Sequence, residues 1–191
     1  MARVRLIEKE QALPEVREIF QKIEDNGARI LNLYKVVANS PKVLLNFIRL
    51  GNSVVGRMEL PSRLREIVTL RVAKLTGSEY EWAQHAPVAL EVGVSQKQLD
   101  SLSDWKSSSE FNNKERAVLQ YTDEVAQNVT VTDQTFNMLK NFFNEQTIVE
   151  LTITIGYYGM LARLLVPLQV EVDEISAVSA TELIGRRAKL K

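Results

Sequence analysis

Arg65-Glu-Ile-Val-Thr-Leu-Arg-Val-Ala-Lys-Leu-Thr-Gly-Ser-Glu-Tyr-Glu-Trp-Ala-Gln-His-Ala-Pro87 is the stretch on which the reading of this chain turns. Its first half is an apolar run at helical spacing that carries a carboxylate, Glu66, among Ile67, Val68, Leu70 and Ala73. Gly77 stops that run, and Ser78 opens a second helix holding the only histidine in the sequence, His85. Ser78, Glu81, Trp82 and His85 follow the i, i+3, i+4, i+7 rule, so they share one helical face about 10 Å long. Pro87 lacks a backbone donor, so a kink is expected just after His85.

Two helices joined by a short turn set Glu66 and His85 opposite each other. A carboxylate in an apolar run is expected to be partly buried, and burial alone raises its pKa. A histidine facing it can exchange a proton near neutrality. Glu66 and His85 are therefore read as an acid/base unit, with Glu81 as a second carboxylate. The competing readings are structural. Ser78-x-x-Glu81 has the form of a capping box, in which serine and glutamate serve each other's backbone N–H groups. Glu66 could equally be a buried ion-pair partner of Arg65, Arg71 or a more distant arginine. Glu66, Glu81 and His85 could also supply mixed nitrogen and oxygen ligands to a metal. With one histidine in the chain, no metal and no cofactor are expected.

Working outward, Pro61-Ser62 begins the central helix, which runs to about Thr76. Upstream, residues 13–26 place Val16, Ile19, Phe20 and Ile23 on one face, and a second apolar stretch follows through residue 37. Ser40-Pro41 reads as an N-cap followed by proline at the first helical position. Downstream, Ser95-Gln-Lys-Gln98 reads as a capping box, residues 104–112 as a polar loop, and Asn113 to Asn128 as an amphipathic helix with Ala117, Val118, Tyr121, Val125 and Ala126 inward. Thr132 caps a helix bearing Phe136, Leu139 and Phe142. The last long element, about residues 144–168, contains Thr152-Ile-Thr-Ile155, which has strand propensity; its length and the lack of a partner strand favour helix. Leu64-Arg-Glu-Ile-Val-Thr-Leu70 and Ile148-Val-Glu-Leu-Thr-Ile-Thr154 echo each other, as two hairpins about a pseudo-twofold would.

Glycine and proline are scarce, at eight and five, so long helices go uninterrupted and the fold class is all-α, with about seven to nine helices in one domain over residues 1–191. Its core spans about residues 40–170, with N-terminal helices over 13–37 and a polar, basic tail over 176–191. Basic and acidic residues balance at 24 each, which gives no electrostatic footprint for nucleic acid. The sequence has no cysteine, so disulfides, thiolate catalysis and cysteine-ligated metals are excluded. Met1-Ala-Arg-Val-Arg-Leu-Ile-Glu-Lys-Glu10 lacks an apolar signal core, and Glu150 and Arg163 leave only twelve uncharged residues between them. That is short of the roughly 20 needed to span a bilayer, so no membrane partner and a cytoplasmic location are expected.

The central stretch resembles the carboxymuconolactone decarboxylase family, which includes the alkylhydroperoxidase D-like proteins. The matching residues are Leu64-Arg-Glu-Ile-Val-Thr-Leu-Arg-Val-Ala73, Thr76-Gly-Ser-Glu-Tyr-Glu-Trp-Ala-Gln-His85 and Val88-Ala-Leu-Glu-Val-Gly-Val-Ser95, and more loosely Gly156-Tyr-Tyr-Gly-Met-Leu-Ala-Arg163. The resemblance implies a helical bundle that assembles as trimers or hexamers, with a dimer as the smaller possibility. The hydroperoxidase branch carries a glutamate, then Cys-x-x-Cys, then a histidine. Glu66 and His85 resemble the outer pair, while Ser78 and Glu81 fall where the cysteines would be and Tyr80 where that branch has an extra histidine. A hydroxyl and a carboxylate cannot form the sulfenate or disulfide that peroxide reduction needs. What the resemblance then implies is a cofactor-free lyase or isomerase acting on a small organic acid or lactone. In that reading His85, Glu66 and Glu81 are catalytic, and Ser78, Tyr80, Trp82, Tyr157, Tyr158 and Arg163 contact the substrate. The alternative is an oligomeric binding protein that keeps the pocket without the chemistry.

Overall fold

The computed structural model describes residues 1–173; the basic tail from about residue 176 lies outside the described residues. These contain nine α-helices, two short 3₁₀ turns and no strand. They divide into two compact units, residues 1–57 with 164–173, and residues 58–163.

The first unit holds α1 (Pro14–Asp25), α2 (Asn32–Val37) and α3 (Pro41–Gly56), with α1 and α2 both packed on α3. Val16, Phe20 and Ile23 are the buried stripe of α1, as the 3.6-residue period requires. Pro41 does open α3, but the Ser40 side chain makes no capping bond. The chain's two described ends are tied together: Arg3 N–H donates to the Leu168 carbonyl at 2.8 Å, and Asn32 N–H to the Asp173 carboxylate at 2.8 Å.

The second unit contains α4 (Ser62–Thr76), α5 (Glu79–Glu91), α6 (Gln96–Ser101), α7 (Asn113–Asn128), α8 (Asp133–Lys140) and all but the last two residues of α9 (Glu145–Leu165). α4 is its axis, packed against α5 and α7. Every residue from Leu64 to Ala73 is buried, including Arg65, Glu66, Thr69 and Arg71. A helix buried on all sides has no solvent face for its charges, so each must find a partner inside. Gly77 ends α4 at φ +66°, a conformation that costs an L side chain strain, and the next N–H, of Ser78, returns to the Ala73 carbonyl at 3.0 Å.

Capping divides the remaining helices. Ser95 and Gln98 form the expected reciprocal box. Asn112 and Glu115 form a second one at the start of α7 that the sequence reading passed over. The Arg63 guanidinium joins both boxes, pairing with Glu115 and donating to Gln98 Oε1. On α7, Ala117, Val118 and Tyr121 are buried as expected, but Val125 and Ala126 are only half-buried, while Thr122 and Asp123 turn inward. Of Phe136, Leu139 and Phe142, only Leu139 is fully buried. Thr152-Ile-Thr-Ile155 is helical. Both threonine hydroxyls donate to carbonyls one turn back, those of Ile148 and Glu150, each at 2.8 Å, which lets β-branched residues sit in a helix. α9 is the one helix among the described residues long and apolar enough to cross a membrane, and 56% of its most apolar window is buried in the protein.

Candidate functional site

α4 and α5 bring Glu66 and His85 together, 19 residues apart in sequence. The imidazole Nδ1 lies 2.7 Å from Glu66 Oε2. The other oxygen, Oε1, accepts from Arg65 Nε and Nη2, both at 3.3 Å. Arg65 is the immediate chain neighbour of Glu66, and both are buried, at 4% and 1% exposure.

Burial pushes the Glu66 carboxyl upward. The positive charge and hydrogen bond of His85, and then those of Arg65, outweigh it and hold the group below the usual carboxylate range. The sequence-based expectation of a raised value is therefore corrected, because burial was considered there without the partners it comes with. An ionised carboxylate only accepts, so Nδ1 carries a proton and donates it to Glu66. That leaves Nε2 as the ring atom available for exchange.

Nε2 makes no hydrogen bond among the described residues. The nearest polar partner is Glu81 Oε2, 3.4 Å away, one helical turn back on α5. This resolves the Ser78-x-x-Glu81 motif into two halves. Ser78 Oγ accepts from Glu81 N–H at 3.4 Å and so caps the helix. The return bond is not made, because the Ser78 N–H is already used by Ala73, and the Glu81 carboxylate lies beside the imidazole instead. A one-sided serine cap with a buried carboxylate at the ring replaces the expected box.

Tyr158 of α9 completes the enclosure. Its ring stands edge-on to the imidazole, with centroids 5.0 Å apart and planes at 86°, and Tyr157 packs behind it at 5.3 Å. Tyr80 is buried at the start of α5. Trp82 is half-buried and occupied elsewhere, with Lys74 Nζ 3.8 Å above its ring, a cation–π pair that the sequence reading did not anticipate. Arg163 is not brought to the histidine. It lies exposed on the far side of α9, its Nη1 donating to the Gly159 carbonyl at 2.8 Å.

No group of three His, Cys, Asp or Glu side chains among the described residues is arranged to hold a metal ion. The geometry gives the reason at this site: Glu66 and Glu81 approach opposite nitrogens of one ring, so their oxygens do not converge with an imidazole nitrogen on a common point. The echo between residues 64–70 and 148–154 does not extend to chemistry. Glu150 is half-buried and accepts from the Leu60 N–H at 2.7 Å, bracing the entry to α4.

Comparison with known proteins places this architecture. Residues 41–124 match the carboxymuconolactone decarboxylase family. That segment contains Glu66, Glu81 and His85, and the chain resembles the family over it while having no cysteine. No curated protein matches it. Among solved structures, an uncharacterized peroxidase-related protein from Silicibacter sp. TM1040 superposes with a TM-score of 0.77 at 15% identity, over 94% of this chain and 95% of that one. An uncharacterized peroxidase-related protein from Ralstonia eutropha JMP134, with an alkylhydroperoxidase AhpD core, gives 0.77 at 14% identity, over 91% and 93%. The debrominase Bmp8, as a cysteine-to-alanine variant in complex with 2,3,4-tribromopyrrole, gives 0.71 at 17% identity, over 99% and 100%. At such identities the likeness establishes the helical fold.

Proposed function

We propose that this chain is a cofactor-free acid/base catalyst of the carboxymuconolactone decarboxylase type, moving a proton to or from carbon in a small oxo acid or lactone. The observation that carries the reading is the asymmetry of His85: Nδ1 is held at 2.7 Å by a buried carboxylate, while Nε2 makes no hydrogen bond among the described residues. Decarboxylation or isomerisation of such a substrate leaves an enolate that must be protonated at carbon. Nε2 of the imidazolium delivers that proton to carbon, Glu66 fixes the tautomer and stabilises the imidazolium form, and a proton from water restores the imidazolium beside Glu81. A positioned acid/base of this kind contributes about 10²–10⁴-fold in rate. Cysteine-based peroxide reduction is not open to a chain with no cysteine.

The test uses small 3-oxo acids and unsaturated lactones in deuterated water, following release of carbon dioxide and deuterium incorporation at carbon. The wild type is expected to turn over at least one of them, and His85→Ala to lose that turnover while keeping its helical spectrum. Equal turnover in the variant would remove His85 from the mechanism.

A second reading rests on a specific observation too. The His85 side chain is only 11% exposed and Glu66 1%, a closed pair of the kind that braces two helices. In that reading the chain binds a small molecule without converting it. It predicts that wild type and His85→Ala are equally inert on the substrate set and that a bound acid raises the melting temperature of both.

A further inference from the structure

Between α7, α8 and the segment that precedes α7 lies a cavity of about 780 Å³. Small-molecule sites typically measure roughly 300–1,000 Å³. The cavity belongs to the second unit and shares no described lining residue with the Glu66–His85 cluster.

Its lining carries two cations, exposed Lys106 and half-buried Arg116. Backbone fixes the Arg116 guanidinium: Nη1 donates to the carbonyls of Trp105 at 3.2 Å and Ser108 at 2.9 Å, and Nη2 to that of Lys106 at 2.7 Å. Both cations also lie by the Trp105 ring, Lys106 Nζ 5.5 Å and the Arg116 guanidinium carbon 5.3 Å from its centroid. Carbonyls and an indole carry no net charge, so these contacts orient the two positive charges without neutralising them. Neither cation is ion-paired to a carboxylate among the described residues. Glu124, the acid among the described lining residues, is engaged elsewhere. Its Oε1 accepts from Thr135 Oγ1 at 2.6 Å and Gln120 Nε2 at 2.7 Å, and its Oε2 from the Thr132 N–H at 2.8 Å.

The lining also carries apolar surface. Met138 of α8 and Phe142 just after it are 37% and 41% exposed, and Ala117 of α7 adds to them. Oriented cations beside a flexible thioether and an aromatic ring fit a small organic anion with an apolar body. A bare inorganic anion would leave Met138 and Phe142 uncovered. A neutral apolar molecule would cover two charges and supply no partner for them.

We propose that this cavity is a second binding site, for a small carboxylate with an apolar body. Lys106 and Arg116 take the carboxylate, and Ala117, Met138 and Phe142 take the body. The site stands apart from the catalytic reading of His85 and does not depend on it.

Trp105 supplies the reporter, because its ring lies against both cations and its indole N–H donates to Asp123 at 3.1 Å. The sequence has two tryptophans, Trp82 and Trp105, so the ¹⁵N-labelled full chain gives two indole N–H signals, told apart by Trp82→Phe. The probe is octanoate, compared with acetate (the head group alone) and octylammonium (the same body with the opposite charge). Octanoate is expected to shift the Trp105 signal saturably and to bind about tenfold or more tighter than either comparator. Lys106→Glu and Met138→Glu, both at exposed positions, should each weaken octanoate by about tenfold or more. Val149→Glu, at an exposed apolar position outside the cavity, should leave its affinity unchanged. A Trp105 signal that octanoate does not move, or octylammonium binding as tightly as octanoate, would overturn the site. So would unchanged affinity in Met138→Glu, or a loss in Val149→Glu as large as in Met138→Glu.

Discussion

Two buried charge clusters join α4 to its neighbours, and they are finished differently. Arg71 faces α7: its Nε and Nη2 meet the two oxygens of Asp123 at 2.6 and 3.0 Å, its Nη1 donates to the carbonyls of Leu102 and Ser103, and Trp105 Nε1 donates to Asp123 at 3.1 Å. Both oxygens of the acid and three nitrogens of the base are engaged. Glu66 faces α5, and its cluster is tight on one side only: both carboxylate oxygens are hydrogen-bonded, while the imidazole Nε2 has only the longer 3.4 Å contact with Glu81. A fully bonded buried pair specifies packing. One that ends at a ring nitrogen held only by a 3.4 Å contact retains a proton site, and that is why the second cluster, and not the first, is read as chemical.

The comparison breaks most visibly at Asp123. Asp123→Ala leaves the Arg71 guanidinium buried without its anion and is expected to destabilise the fold by about 3–5 kcal/mol in urea titration. His85→Ala should divide the effects the other way, with turnover falling about 10²–10⁴-fold and stability by only about 1–3 kcal/mol, since Glu66 keeps Arg65. If both substitutions cost stability alike and neither touches turnover, the two clusters are the same kind of object.

Acid titration sharpens the contrast. Glu66 is held below its ordinary value of 4.5, so its contribution to stability is fully present above that value. The contribution is lost as pH falls through the lower folded value. Wild-type stability minus that of Glu66→Gln is therefore expected to shrink as pH falls below the ordinary value of 4.5. A difference that grows in stronger acid would reverse the sign. The smallest effect separates the two halves of the Ser78 motif: Ser78→Ala should cost about 1 kcal/mol through the lost cap, while Glu81→Gln leaves the cap in place.

What the sequence makes legible here is local. Asn113–Asn128 and Ser62–Thr76 follow from periodicity and their stop signals, and the Ser95–Gln98 box from four adjacent residues. The Glu66–His85 pairing follows because both lie on consecutive helices joined by the Gly77 turn. Long-range choices are not legible. Asp123 turns inward in place of Val125 because Arg71, 52 residues away, needs an anion. Likewise, a capping box and a one-sided cap share the same four letters at Ser78-x-x-Glu81, and only the position of His85 relative to Glu81 decides between them. The direction of the Glu66 shift was missed for the same reason: burial is readable from apolar neighbours, whereas the partners that reverse its effect come from the fold.

The central claim is that Glu66 is the anion that fixes the proton on Nδ1 and leaves Nε2 for exchange. Because His85 is the only histidine, a ¹⁵N-labelled sample gives one imidazole to assign. In the neutral form of the ring, the account predicts a protonated Nδ1 and an unprotonated Nε2, with that preference lost in Glu66→Gln. A neutral ring protonated at Nε2, or a tautomer indifferent to Glu66→Gln, would contradict it.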